Sequence, residues 1–184
     1  MKFFKLIVSV IFLFPVSVLA TDVFIQGGLH TGGDDLVTAT FTNGDTEKLK
    51  GGGLISLSAG IGIDVAEELE TRLMAGVKFD TIDAENGSAE FVRYPLEALL
   101  MYRANENIYI GGGLTYHLNP SISGDGIASN ASVDFDNALG LVAELDFILA
   151  NGGYLGIKLS SIDYELNGQS ASGNSIGGIL GFRF

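Results

Sequence analysis

The amino-acid sequence predicts an all-β fold: an eight-stranded, antiparallel, up-and-down transmembrane β-barrel. Three observations support this prediction. Apolar and polar residues alternate with a period of two in eight segments, as in strands with two different faces. Short connections alternate with longer polar ones. Beyond residue 20, no apolar stretch reaches the length of a spanning helix, so a membrane-embedded chain of this kind must close into a barrel.

The first 20 residues have the layout of a secretory signal peptide. Lys2 and Lys5 precede the apolar run LIVSVIFLFPVSVLA, which ends with small-residue spacing at Val18 and Ala20. This run is shorter than the roughly 20 residues that a spanning helix needs. We therefore expect cleavage after Ala20, which leaves residues 21–184 as one barrel domain. An uncleaved membrane anchor is the alternative.

The composition narrows the classes of partner. The chain contains no cysteine, so it has neither disulfides nor a lipid-modified cysteine. Its 22 acidic residues against 10 Lys and Arg give a formal charge of −12. That charge argues against nucleic acid as a partner, because phosphate binding needs a basic face. Two histidines without ligand spacing predict no metal site, and we expect no cofactor.

Eight segments carry the alternation. In the second, Ile55, Leu57 and Ile61 share a face opposite Ser56 and Ser58. The segments cover residues 22–33, 51–65, 69–82, 90–103, 107–119, 133–149, 153–165 and 174–184.

Two of these segments are irregular. In the seventh, the apolar residues change face at Ser160-Ser161, which predicts a β-bulge. For the first segment, an alternative ending runs past Asp34-Asp35 through LVTATF to a turn at Asn43-Gly44.

The connections and the aromatic residues favour a barrel in a membrane over a soluble barrel. Short turns on one side, with both termini, and long loops on the other are typical of transmembrane barrels. We expect short turns at 66–68, 104–106 and 150–152, and long loops at 34–50, 83–89, 120–132 and 166–173. Aromatic residues form two predicted interface belts: Phe79, Tyr94, Tyr116, Phe135 and Tyr164 near the outer end, and Tyr102, Phe147, Tyr154 and Phe184 near the inner end.

The chain ends in SIGGILGFRF, an alternating apolar strand that closes on phenylalanine. Together with the leader and the eight segments, this ending resembles the small eight-stranded bacterial outer-membrane barrels of the OmpA and OmpX type. The hairpin RYPLEALLMYRANENIYIGGGLTYHLNP is similar to one in small proteobacterial barrels, including YfaZ-like proteins, and implies no activity.

The resemblance implies a location in the outer membrane of a Gram-negative bacterium. It makes Phe182 and Phe184 the expected assembly signal, read by the barrel-assembly machinery after periplasmic chaperones deliver the chain. Outer-membrane lipid and lipopolysaccharide are the expected surroundings, and we expect a monomer.

The faces opposite the apolar ones would line a narrow interior. They supply a predicted lumen charge network: Glu70, Arg72, Lys78, Asp80, Arg93, Glu97, Asp136, Glu144, Asp146, Lys158 and Arg183. Arg93 and Glu97, four residues apart, are candidate centres of the interior in both interpretations that follow. One interpretation is a network of ion pairs that fills the barrel, since buried charges must be paired. The other is a gated path for ions.

The stretch IYIGGGLTYHLNP (108–120) raises the question of a phosphate-binding loop. Such a loop leads from a strand into a helix, and no helical period follows here. We interpret it as the fifth strand, in which Gly111 and Gly113 leave room for long inward side chains such as Arg93, Glu97 and Glu144. His30 and His117 are predicted at the lumen mouth.

Lipid hydrolysis is the third hypothesis. The known lipid-deacylating barrel, which is similar in size, uses a His-x-Ser pair with a carboxylate, and neither histidine here has a serine two residues on. A triad from distant strands stays open, with Ser160 or Ser161 as contributors. Acidic loop residues such as Asp34 and Asp125 either recruit calcium or magnesium near lipopolysaccharide or are simply solvated.

The sequence therefore predicts no catalytic residues. The favoured function is a non-enzymatic outer-membrane barrel with a structural or surface-interaction role and a lumen plugged by charged side chains. A narrow channel or porin for ions or small solutes is the first alternative, and a lipid-acting barrel enzyme is the second.

Overall fold

The computed structural model describes residues 21–40, 46–84, 87–126 and 132–184. The predicted leader (1–20) and the predicted turn at Asn43-Gly44 lie outside these ranges. Within them, no helix has the length and hydropathy of a membrane span.

Eight long strands of the described ranges form a closed antiparallel ring, which confirms the predicted fold class. They are β1 (Thr21–Thr31), β4 (Leu54–Ala66), β5 (Leu69–Ala84), β6 (Gly87–Asn105), β7 (Ile108–Gly126), β9 (Ala138–Ile148), β10 (Gly153–Ser161) and β13 (Ser175–Arg183). Each pairs with the next in this order, and β13 pairs with β1, so that no edge is left.

Short strands extend the wall within and beside the predicted long loops. They are β2 (Asp35–Thr40) paired with β3 (Thr46–Lys50), β8 (Val133–Asp134) against β7, and β11 (Asp163–Leu166) paired with β12 (Gln169–Ser172). The β11–β12 turn has Asn167 and Gly168 at φ 52° and 80°, the left-handed values that a two-residue hairpin turn requires. We call this side the hairpin end.

The opposite side, which we call the short-turn end, holds the start of the first strand, β1, and the end of the last strand, β13. There β4 and β5 are joined by Glu67-Glu68, and β6 and β7 by Glu106-Asn107. The alternation of short and long connections is therefore as predicted. The predicted loops 83–89 and 120–132 are shorter than expected, because β5 and β6 stay paired to Ala84 and Gly87, and β7 stays paired with β6 to Gly126.

The barrel is apolar outside and polar inside. Outward side chains such as Leu57, Leu114 and Leu180 are 51–56% exposed. Inward ones, such as Arg72 and Glu70, are fully buried. The 11 residues of β9 span about 36 Å, and at a tilt near 45° this covers roughly the 25 Å apolar band of a membrane barrel. This distribution suits lipid outside and protein inside.

The aromatic belts are only partly as predicted. Tyr94, Tyr116, Tyr102, Phe147 and Phe184 are exposed on the outer surface. The other assignments change as follows: Phe79 is half-buried, Phe135 packs inward at the hairpin end, and Tyr154 and Tyr164 are fully buried. Tyr154 and Tyr164 lie an even number of residues from the inward Lys158, so strict alternation turns them inward.

The predicted bulge at Ser160-Ser161 is absent. The alternation continues without a shift from Leu159 through Tyr164, so Ile162 simply faces inward. The register between β6 and β7 shifts instead between the pairs Val92–Ser121 and Tyr94–Leu118. On β7, Asn119 has a φ of 46° at this point, and Pro120 has no N–H to donate.

Gly111 and Gly113 have a different role from the one predicted. A Cβ at Gly113 would lie 2.8 Å from the Leu99 Cα and closer still to the Ala98 carbonyl oxygen. A Cβ at Gly111 would meet the Met101 Sδ at 2.6 Å. The glycines therefore allow the close approach of β6 and β7, and not the placement of long charged side chains.

We expect Gly113→Val to impair barrel formation, because the added atoms meet backbone that cannot move aside. The measurement is migration on a denaturing gel with and without heating, where a folded barrel gives a heat-modifiable band. Gly178→Val is the matched control, since a Cβ there has no atom within 4 Å. A Gly113→Val protein with the wild-type folded band would contradict this account of the β6–β7 contact.

Candidate functional site: the barrel interior

The guanidinium of Arg72 is the centre of the interior charges. It lies on β5 and is 1% exposed. Its Nε donates to Glu70 at 2.5 Å, and its Nη1 donates to Asp146 at 2.5 Å and to Glu144 at 3.1 Å. Since β9, which carries the last two, is separated from β5 by β6 and β7, these contacts cross the lumen.

Further ion pairs extend this centre toward the short-turn end. Arg183 Nη1 lies 3.3 Å from Glu70 Oε2, and Arg183 also pairs with Asp22. Arg103 pairs with Asp64 and lies 3.5 Å from Glu70. We call the set formed by Arg72, Glu70, Glu144, Asp146 and these pairs the Arg72 network. It joins side chains from β1, β4, β5, β6, β9 and β13.

Apolar and aromatic side chains fill the space around the Arg72 network. The Arg72 Cζ lies 4.5 Å from the centroid of the Phe24 ring, a cation–π distance. The Tyr154 hydroxyl donates to Gln26 Oε1 at 3.0 Å. The buried apolar residues of this cluster are Phe24, Met74, Leu99, Met101, Tyr109, Val142, Tyr154 and Ile179. Low polarity around the charges strengthens each ion pair and makes an unpaired charge costly.

Arg93 and Glu97 do not form the centre that their spacing suggested. Four residues along a strand separate two side chains by about 13 Å, too far for an ion pair. Glu97 instead accepts from Lys158 Nζ at 2.7 Å, and Lys158 lies 3.0 Å from Glu144. Arg93 donates to the Gly53 carbonyl oxygen and stacks 4.4 Å from the Phe91 ring centroid.

A second apolar cluster lies at the hairpin end, beyond Arg93. It contains Leu49, Ile82, Ala89, Phe91, Ile122, Ala138, Ile162 and Tyr164, and we call it the hairpin-end cluster. The rings of Phe91 and Tyr164 meet edge to face at 5.4 Å. Leu49 belongs to β3, so the β2–β3 hairpin contributes to this cluster.

His30 and His117 lie deeper than the predicted mouth. His117 is 3% exposed, and its Nδ1 lies 2.7 Å from the Tyr164 hydroxyl, beneath the hairpin-end cluster. His30 is 5% exposed, and its Nε2 lies 2.7 Å from Ser56 Oγ. Both line one internal cavity of about 20 Å³.

The contact between His30 and Ser56 is the nearest approach to a catalytic pair that we find in the described interior. It lacks a carboxylate orienting the histidine, because His30 Nδ1 has no hydrogen-bond partner among the described residues. Ser160 Oγ bonds Ser175 Oγ at 2.7 Å, and Ser161 is exposed. In the part of the chain that the structure describes, no group of three or more His, Asp or Glu residues is arranged to hold a metal ion.

The other predicted site residues are distributed as follows. Lys78 is buried and donates to Ser175 Oγ at 2.9 Å, and buried Asp80 accepts from the Lys50 backbone N–H at 3.1 Å. Asp136 does not belong to the interior: it is exposed beyond the start of β9, where strand alternation no longer applies. Phe182 and Phe184 are exposed and stack at 6.4 Å.

Sequence reasoning missed several interior residues. Arg103 and Asp64 lie on faces that the alternation already turns inward, and that signal identifies them. Asp22, Phe24 and Gln26 belong to β1, whose run of glycine and polar residues gives a weak face pattern.

Comparisons with known proteins identify the fold. No protein-family model matches the chain, and no curated protein matches it. Among solved structures, it is similar to Ail, the attachment invasion locus protein of Yersinia pestis, in complex with the heparin analogue sucrose octasulfate. The sequence identity is 14%, the TM-score is 0.54, and the match covers 89% of this chain and 97% of Ail.

Two further solved structures are similar to this chain over the same part of its length. The neisserial surface protein A is 11% identical with a TM-score of 0.54, over 89% of this chain and 97% of that protein. The outer-membrane protein OprG of Pseudomonas aeruginosa is 15% identical with a TM-score of 0.50, over 90% of this chain and 97% of OprG. The chain therefore has the fold of the small outer-membrane β-barrels.

We expect Arg72→Met to lower the free energy of unfolding by about 3–5 kcal/mol, because it leaves buried carboxylates without their partner. The measurement is urea unfolding in detergent, followed by far-UV circular dichroism since the chain has no Trp. Lys48→Met is the control: its ion pair with Asp35 is exposed, and such pairs contribute about 0–1 kcal/mol. Equal, small effects of both substitutions would refute the central role of Arg72.

Proposed function

We propose that residues 21–184 form a non-enzymatic outer-membrane protein with a closed lumen, and that its role is structural or lies in surface interaction through the hairpin end. The observation that carries the proposal is the Arg72 network, which crosses the lumen from β5 to β9. The hairpin-end cluster lies beyond it on the same axis. Together they leave little continuous space for a solute.

The location follows from the outer surface and the fold. An apolar band of strand side chains facing outward needs lipid, and the fold is that of outer-membrane barrels. Within this proposal, residues 1–20 are the export signal, and lipid and lipopolysaccharide surround the barrel. The exposed Phe182 and Phe184 present the terminal strand to the barrel-assembly machinery and chaperones. The ring closes within one chain, which supports a monomer.

The hairpin end is strongly acidic, and this charge selects the kind of surface partner. The exposed acids there are Asp34, Asp35, Glu47, Asp83, Glu90, Asp125, Asp134, Asp136, Asp163 and Glu165. Such a surface repels polyanions, so the sulfated ligand bound by Ail is not a model for this chain. A basic surface or divalent cations near lipopolysaccharide suit it better.

The runner-up function is a narrow channel, and conductance in a planar bilayer separates the two. The refolded mature chain is expected to give no stable discrete openings, because ion pairs and apolar side chains occupy its interior. Stable openings in the wild-type protein would overturn the closed-lumen proposal and favour the channel.

A silent bilayer is informative only if the protein is inserted. The chain has no native cysteine, so Gln169→Cys on the β11–β12 turn and Glu67→Cys at the short-turn end each give one exposed thiol. A membrane-impermeant maleimide added to one side should label one of these variants and spare the other. Labelling of both would mean that the protein is not inserted across the bilayer in one direction.

A further inference from the structure

The outer wall carries an apolar groove where β13 lies between β10 and β1. Gly178 of β13 pairs with Ile157 on one side and with Leu29 on the other, and both neighbours point outward and are exposed. Ile176, the preceding outward residue of β13, is also exposed. A Cβ at Gly178 would have no atom within 4 Å, so the glycine leaves a gap among large side chains. The groove at this gap has a volume of about 420 Å³.

A second depression continues this groove toward the hairpin end. Its volume is about 680 Å³, and Thr31 and Ile176 line both depressions. Leu141 and Leu159 add exposed apolar side chains to its lining. We call the two depressions together the wall groove. Its outward apolar residues are Leu29, Leu141, Ile157, Leu159, Ile176 and Gly178.

The wall groove differs in charge from the acidic hairpin end beside it. Among the described residues that line the groove, none is Asp, Glu, Lys or Arg. Exposed hydroxyl groups lie at its margin toward the hairpin end, on Thr31 and Ser161. A charged headgroup therefore finds no counter-charge inside the groove. A hydrocarbon chain with an ester group at one end matches both the apolar lining and the hydroxyl margin.

The position of the wall groove determines what covers it. The groove is continuous with the lipid-facing band, to which the exposed Leu180, next to Gly178 on the outward face of β13, belongs. A depression without a filling group forfeits dispersion contacts on its open side. Lipid tails are as apolar as leucine side chains, so close packing and not hydrophobicity distinguishes this groove from the convex wall around it.

We propose that the wall groove holds one acyl chain of an outer-leaflet lipid. The chain passes over Gly178, and its ester oxygens accept hydrogen bonds from the hydroxyl groups of Thr31 and Ser161. The assignment to the outer leaflet rests on the proposed function, in which the hairpin end faces outward and the short-turn end faces the periplasm. The groove does not depend on the state of the lumen, so bilayer conductance tests the closed barrel separately.

Photolabelling tests the position of the chain. The mature protein is inserted into phosphatidylethanolamine vesicles that contain a small fraction of the same lipid with a diazirine on one acyl chain. After irradiation, the adducts are mapped by mass spectrometry. The expected result is labelling concentrated on residues 155–161 and 174–180, which contain most of the groove lining. Labelling spread evenly around the ring would overturn the proposal.

Retention of lipid in detergent gives a second readout. After mild extraction from the same vesicles, native mass spectrometry should show one lipid bound to the wild-type protein. Gly178→Leu fills the groove and should lower the retained lipid roughly tenfold, which corresponds to the loss of about ten close carbon contacts. Ala98→Leu should keep the lipid. It is the matched control, because Ala98 is exposed on β6, on the opposite wall, and also lies between two large apolar neighbours.

Equal retention by the two variants would refute the proposal. Pairs of protein molecules without lipid would also refute it, because they would make a second copy of the chain the occupant of the groove. A heat-modifiable band shows that each variant is folded. If Gly178→Leu does not fold, the labelling map of the wild-type protein decides.

Discussion

The contact between one buried guanidinium and three carboxylates organises the interior of this barrel. Arg72 extends from β5 and reaches Glu144 and Asp146 on β9, across two intervening strands. Arg183 and Lys158 then attach to the same carboxylates from β13 and β10. The charges are costly to bury singly, and they are tolerable because Glu70 and Glu144 are each shared between bases and Asp146 is paired with Arg72.

The need to pair these buried charges follows from the position of the strands, which have lipid on one side and a narrow interior on the other. A strand with one face in lipid must turn its polar residues inward, and a ring of eight strands leaves a narrow interior in which side chains from opposite walls meet. The aromatic rings of Phe24, Tyr109 and Tyr154 lie around Arg72 and keep water away from it. In the proposed closed barrel, the same arrangement that satisfies the charges would also fill the passage, so stability and closure would have one physical origin.

The sequence predicts much of the fold, because alternation is a local property. It gives the eight strands, the inward position of Glu70, Arg72, Glu144 and Asp146, and the outward position of the apolar residues. The predicted side-chain positions are wrong where the alternation is overruled by another criterion, or where the residue does not lie in a strand. Aromatic character alone places Tyr154 and Tyr164 in the interface belts, whereas their position in the alternation turns them inward, and Asp136 lies outside a strand.

Which inward residues meet is not a local property. The contact of Arg72 with Asp146 joins residues 74 positions apart and depends on the stagger of every strand between them. Spacing along one strand suggested Arg93 with Glu97, although partners in a narrow barrel come from the opposite wall. The role of Gly113 shows the same limit, since the Ala98 and Leu99 backbone that excludes a Cβ belongs to another strand.

The most direct test of the central claim is a double-mutant cycle between Arg72→Met and Asp146→Asn, measured by urea unfolding in detergent. If these side chains compensate each other across the lumen, their coupling free energy should exceed ~1 kcal/mol. A parallel cycle on the exposed pair Lys48 and Asp35 should stay below ~1 kcal/mol. Additivity of the Arg72 and Asp146 substitutions within ~0.5 kcal/mol would contradict the account.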